Sequence, residues 1–280
     1  MLKIALTHDV DRIRKSYQYL TRSFRYLKKW DFKKIYKEFL SIPKFNDVYW
    51  NFEDIMAIED SLNIRSTFFF LNESIPIDFF HPSNWKLSFG RYKITEKKVR
   101  NIIHTLDKNG WEIGLHSSYN SYLEPKLIKE EKILLEYIAG HNILGVRQHY
   151  LNLNDKTWDI QKNAGFKYDS SFGYTKKIGY KDEKIYPFRP FNDDFIVFPL
   201  CIMDSCFMED NNRNTKIRVI IEQTENKDAI LVLNWHSNNF FERDYPFYKS
   251  TYINLINLFK SNGAIFKTLS EYWYELNFKD

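Results

Sequence analysis

The sequence predicts an α/β fold built on a parallel sheet, and three observations carry that prediction. Short apolar runs recur along the chain, amphipathic helical stretches fall between them, and polar clusters stand where the runs end. Strands alternating with helices imply parallel βαβ units, and seven or eight such units favour a barrel over an open sheet. At 280 residues the chain is long enough for one large α/β domain, and such barrels reach ~250 residues as single domains. No repeat, low-complexity tail or Gly/Pro/Ser linker divides it, so residues 1–280 read as one domain.

The elements follow in order. Met1 to Leu6 is a short buried strand running into Thr7-His8-Asp9-Val10-Asp11. Tyr17, Leu20, Phe24 and Leu27, then Ile35 and Phe39 before Pro43, recur at helical spacing and predict one or two amphipathic helices with a Lys/Arg-rich outer face. Helix is expected over 52–62 and strand over 66–71, followed by a helix capped by Thr95 with the stripe Val99, Ile102, Ile103 and Leu106. Further strands are expected at 111–116, 143–146, 167–170, 195–201, 229–235 and 264–267, with helices over 127–139, 156–163, 215–226 and 247–261.

Composition narrows the function. No apolar stretch approaches the ~20 residues of a membrane-spanning helix. Lys3, Asp9, Asp11 and Arg12 interrupt the first apolar run, unlike a secretory signal, so cytoplasmic residence is expected. Cys201 and Cys206 are too few and too loosely spaced for a disulfide framework or a four-cysteine metal site. The net charge of +5 is uneven: residues 12–44 hold eleven Lys/Arg against Asp31 and Glu38. A general nucleic-acid binder spreads its charge more broadly. The expectation for this basic helical insertion is a solvated face whose aromatic side packs on the domain. A helix lying on the inner face of an anionic membrane is the alternative.

The chemistry gathers at strand ends. Asp9 and Asp11 end the first strand; His116 precedes Ser117-Ser118-Tyr119-Asn120. Arg147-Gln148-His149-Tyr150, Asp169 and Asn234-Trp235-His236 end three more. One such histidine is more often a satisfied core group, but all strand C-termini of a parallel barrel open on one face, so these clusters converge on a shared site. No G-x-S-x-G elbow, Gly-rich phosphate loop or H-E-x-x-H occurs. What remains is metal-assisted attack by water, with a carboxylate base and a histidine acid.

In their order, Thr7–Asp11, Ser66–Phe70, His116–Asn120, Arg147–Tyr150, Asp169 and Leu231–His236 resemble the polysaccharide deacetylase family (NodB homology, carbohydrate esterase 4), and most closely its divergent bacterial branch. The resemblance implies a distorted, NodB-like (β/α)7–8 barrel and divalent-metal-dependent removal of an N-acyl group, usually acetyl, from an amino sugar. It implies Asp9 as catalytic base, His236 as general acid, Arg147 as the group orienting the base, and Asp169 as the acidic partner of His236. Zn2+ is the implied metal, on Asp11, His116 and the residue at 120.

The sequence departs from the family where a second metal-binding histidine is usual, because that position is Asn120. An amide oxygen is a weaker zinc donor than imidazole, so the alternatives are loose binding, a different divalent ion, or recruitment of His8 or His149. A regular strand points His8 away from Asp9, so His149 is the better one. Tyr119, Tyr150, Trp235, Tyr122 and Phe240 are candidate sugar-stacking walls, although aromatics make up 18% of the chain. Arg189 is a candidate contact to an anionic substrate group, with a surface salt bridge as the equal alternative. The expected function is a metal-dependent hydrolase acting on a nucleotide- or lipid-linked N-acyl amino sugar in surface-polysaccharide assembly. A non-catalytic glycan-binding or scaffolding protein that keeps the barrel without the metal is the rival.

Overall fold

A computed structural model describes residues 1–41, 47–78 and 80–278. The strands are β1 (Lys3–Val10), β2 (Thr67–Leu71), β3 (Glu112–Ser117), β4 (Gly145–Gln148), β5 (Tyr168–Asp169), β6 (Ile196–Val197), β7 (Leu200–Met203), β8 (Ile230–Asn234) and β9 (Ile265–Phe266). The helices are α1 (Gln18–Lys28), α2 (Phe32–Ser41), α3 (Phe52–Ser61), α4 (Pro82–Ser88), α5 (Lys97–Lys108), α6 (Pro125–Ala139), α7 (Thr157–Asn163), α8 (Asp204–Glu209), α9 (Arg213–Asn226), α10 (Tyr248–Ser261) and α11 (Leu269–Phe278). The sheet runs β6-β5-β4-β3-β2-β1-β8-β7, with β9 also on β1, and every one of these pairings is parallel.

The two ends of that path, β6 and β7, are consecutive segments of one extended run. Phe198 donates its N–H to Asp169 O and Leu200 to Phe172 O, and beyond Leu200 the run pairs with β8. The chain thus changes partners around Pro199, which has no N–H to give. The sheet curls into the distorted (β/α) barrel that the alternation predicts.

Side-chain alternation gives the barrel two cores. Ile4, Leu6 and Val10 of β1, Phe68 and Phe70 of β2, and Leu231 and Leu233 of β8 face the helices. Ala5, Phe69, Tyr168, Phe198, Ile230 and Val232 fill the lumen, which Leu269, Tyr272 and Trp273 of α11 close at its lower end. A Cβ on Gly145 would lie 2.0 Å from the Tyr168 ring, so this lumen strand has room only for glycine. At the upper end, period-two alternation aims Thr7 and Asp9 inward and His8 outward.

His8 is indeed excluded from the lumen. Its Nδ1 lies 2.7 Å from Trp235 O and its Nε2 2.9 Å from Glu59 Oε1 on α3. Glu59 also accepts from Ser66, Trp111 and Tyr252. One fully buried carboxylate thereby ties α3 to β1, α10 and the approaches to β2 and β3.

The insertion forms a helical hairpin, α1–α2, and its orientation corrects the expectation from sequence. Its inner side is polar: Lys15 bonds Glu38 and Asp244 at 2.6 and 3.0 Å, and Tyr49 and Arg22 also meet Asp244. Leu20, Phe24 and Leu27 face outward, not onto the body of the protein. The expected stop at Pro43 lies outside the described residues.

Removing one member of a buried charged network strands its partners without hydrogen bonds. Glu59→Ala should therefore cost about 3–5 kcal/mol in urea unfolding, and a loss below about 1 kcal/mol would show that the network contributes little.

Candidate active site

The upper rim of the lumen is built by the strand ends. Arg147 is fully buried and reaches across the lumen from β4. Its Nη1 donates to Thr7 Oγ1 at 2.7 Å and to Asp9 Oδ1 at 2.9 Å. Its Nε and Nη2 donate to Ser170 O and Oγ, and the guanidinium lies over the Phe69 ring. Asn234, opposite Thr7 in register, donates to Asp9 Oδ2 at 2.8 Å and accepts the Asp9 N–H. Burial alone would raise the Asp9 carboxyl, but Arg147, His116 and His236 outweigh it and hold the group below the usual carboxylate range.

Asp11, His116 and His149 converge beside it, each offering one ligand atom within 4.8 Å of the others. His116 Nδ1 donates to Arg147 O at 2.9 Å, leaving Nε2 to face Asp11 Oδ1 at 3.3 Å. His149 Nδ1 donates to Glu73 Oε2 at 3.0 Å, which aims Nε2 toward Asp11 Oδ1 at 3.8 Å. A ring nitrogen tied to a carbonyl or carboxylate while the other faces a shared point is how proteins orient metal-binding imidazoles. Asp11 Oδ1 is buried, has no well-formed hydrogen bond among the described residues, and has His116 Nε2 3.3 Å away, a setting that suits a cation ligand. These residues fit a divalent metal. Arg91 competes for the place: its Nη2 donates to His149 Nε2 at 3.2 Å and its Nη1 lies 3.9 Å from Asp11 Oδ2.

Asn120 stands apart from this group. It lies exposed on the turn after β3 and is not among the residues lining the cavity, whereas His149 stands beside Asp11 and His116. His149 is followed by Tyr150 and Leu151 with φ of 59° and 54°, a left-handed pair that costs energy without glycine and turns the chain sharply at the rim.

His236 faces the same cavity of about 290 Å³, along with Asp9, Asp11, His116, His149 and Tyr150. Its acidic partner is Asp204, not Asp169. His236 Nδ1 donates to Asp204 Oδ1 at 3.0 Å, and the backbone N–H of His236 and Asn239 Nδ2 hold Asp204 Oδ2. Burial would depress the imidazole, but Asp204 outweighs it and the pKa is pushed up to about 10. Asp169 is fully buried and accepts from Trp158, Gln161 and Ser171; burial raises its carboxyl, and it shapes the turn after β5. Asp204 directly follows β7 and Glu73 lies two residues after β2, so both stand at strand ends, although the predicted strand at 195–201 stops short of Asp204.

The expected sugar walls divide. Tyr150 is half exposed on the cavity and meets Tyr119 edge-on at 5.7 Å. Trp235 is fully buried among Phe207, Tyr248 and Tyr252, and so is a core residue rather than a wall. Arg189 is held on the surface by Asp193 O, Asn277 Oδ1 and Leu276 O, away from the cavity.

A carboxylate stabilises imidazolium, so neutralising it lowers the histidine pKa. By NMR titration, Asp204→Asn should lower the His236 pKa, weakening its proton affinity by more than about tenfold, while Asp169→Asn leaves it unchanged. The reverse pattern would restore Asp169 as the partner.

No family model and no curated protein matches the sequence. Solved structures share its fold. Puue allantoinase superposes with a TM-score of 0.60 at 12% identity, covering 100% of this chain and 92% of that one. A protein described as a polysaccharide deacetylase from Pseudomonas aeruginosa gives 0.54 at 16% identity, covering 83% and 74%. Another so described, from Mycobacterium smegmatis, gives 0.51 at 14%, covering 96% and 93%. At these identities the likeness is one of architecture, and the chain has the NodB-like barrel fold of these proteins.

Proposed function

We propose that this protein is a metal-dependent hydrolase that removes an N-acyl group, most simply acetyl, from an amino sugar on a nucleotide- or lipid-linked carrier in surface-polysaccharide assembly. The observation that carries the reading is the separation of proton affinities across one cavity. Asp9 is held ionised by Arg147 and Asn234, while His236 is held protonated by Asp204. Pairs of titratable groups pushed apart in this way divide the roles of base and acid. The deacetylases among the fold neighbours lend the substrate class.

Asp9 takes the proton of a water attacking the acyl carbonyl; Arg147 keeps the carboxylate aimed and each oxygen retains a second lone pair. His236 gives its proton to the sugar nitrogen as the C–N bond breaks, so the products are a free amine and a carboxylic acid. Tyr150, with Tyr119 against its edge, offers an aromatic face beside the cavity. Asp11, His116 and His149 would hold a divalent cation, Zn2+ being suited to two imidazoles and a carboxylate, and when bound it polarises the carbonyl and acidifies water.

Acetate release from N-acetylated amino sugars by purified protein tests the proposal. Activity should vanish in chelator and return with Zn2+, and Asp9→Asn or His236→Ala should each lower kcat by about 10²–10⁴-fold. Full activity in chelator, or unchanged turnover in both variants, would remove the mechanism.

A further inference from the structure

We infer that the α1–α2 hairpin docks this protein on an anionic membrane surface. Its outer side carries a series of exposed apolar side chains. Leu20, Phe24 and Leu27 are spaced i, i+4, i+7 on α1, and Phe24 is 62% exposed. Trp30, 77% exposed, stands at the bend and stacks edge-on against Phe32; Tyr36 and Leu40 extend the series along α2. Aromatic and leucine side chains standing in water at this density mark an interaction surface rather than ordinary exposure.

The charge around these side chains identifies the occupant. Residues 18–41 hold seven Lys/Arg against Asp31 and Glu38. Arg22 and Arg25 turn to the cleft on the inner side, Glu38 is turned inward onto Lys15, and Asp31 is paired with Lys34, so the outward charge is carried by the exposed Lys28, Lys29 and Lys33 and is positive. Lys28 Nζ lies 5.5 Å from the centre of the Phe24 ring, which puts a cationic head at the flank of the apolar series. Exposed apolar side chains bordered by lysines fit the boundary between acyl chains and anionic headgroups. A second copy of this chain would bring the same positive field against itself.

The inner side of α1 connects this surface to the chemistry. Thr21, Arg22 and Arg25 line a cleft of about 890 Å³ that shares Asp11, Ser205 and His236 with the catalytic cavity. Docking through the outer side holds the cleft one helix diameter, roughly 10 Å, from the headgroups, which favours a sugar on a lipid-phosphate carrier. Only this substrate choice rests on the deacylation reading; the docking stands on the hairpin alone.

Vesicle sedimentation tests it, with phosphatidylcholine alone and with about 30 mol% phosphatidylglycerol. The wild type should partition at least about tenfold more strongly onto the anionic vesicles, and Phe24→Glu with Trp30→Glu should lose at least about tenfold of that binding. Phe24→Ser with Phe32→Ser, which adds no charge, should also lose binding, and both variants should keep the wild-type melting temperature and turnover of a soluble N-acetyl amino sugar. No binding at low salt, equal binding by the variants, or light scattering that shows a dimer broken by them would overturn the docking. Inactivity of wild-type protein that still binds vesicles would overturn the deacylation reading alone.

Discussion

The site depends on the Arg147–Asp9 contact. A fully buried guanidinium spans the lumen to the first strand, at 2.9 Å from the carboxylate, and also fastens Thr7 and Ser170. Taking two charges out of water costs several kcal/mol per ion, and a well-packed apolar pair would serve stability as well or better. The lumen below shows that option in use, with Phe69, Tyr168 and Phe198 filling it. The pair is better understood through what it does to Asp9: it fixes one carboxylate, in one protonation state, at the open end of the barrel.

Around that carboxylate the fold sorts the remaining groups by what their far atoms bond. His116 and His149 each spend Nδ1 on an acceptor and turn Nε2 inward. His236 spends Nδ1 on Asp204 and turns its other nitrogen to the same cavity. His8 spends both nitrogens on Trp235 O and Glu59 and belongs to the core. Four histidines close together in space are thus divided by their hydrogen bonds: one ties the core together, two face Asp11, and one is paired with Asp204.

Much of this was legible in the sequence, because strand ends are legible. Period-two alternation separated Asp9 from His8, and short apolar runs located the strands whose tips carry His116, Arg147 and His236. What stayed hidden depends on pairings distant in sequence. Whether His236 meets Asp169 or Asp204 is decided by the ring closing through β6 and β7, which no local pattern records. Asn120 held the expected ligand position by motif order, yet the turn after β3 carries it to the surface, and a left-handed turn after β4 presents His149 instead. Trp235 shares its segment with His236 but alternates onto the opposite, buried face. The outward apolar side of α1–α2 was misread because an amphipathic stripe is normally the buried one; here a buried Lys15–Glu38–Asp244 cluster anchors the polar side.

A non-catalytic role drew its support from Asn120 as a failed ligand, and that support weakens because Asp11, His116 and His149 converge without it. The most direct test is a Zn2+ titration of metal-free protein by calorimetry, with elemental analysis of the dialysed complex. One tightly bound ion per chain is expected, lost in Asp11→Asn, His116→Ala and His149→Ala and retained in Asn120→Ala. No stoichiometric binding by the wild type, or loss of the ion in Asn120→Ala alone, would contradict the account.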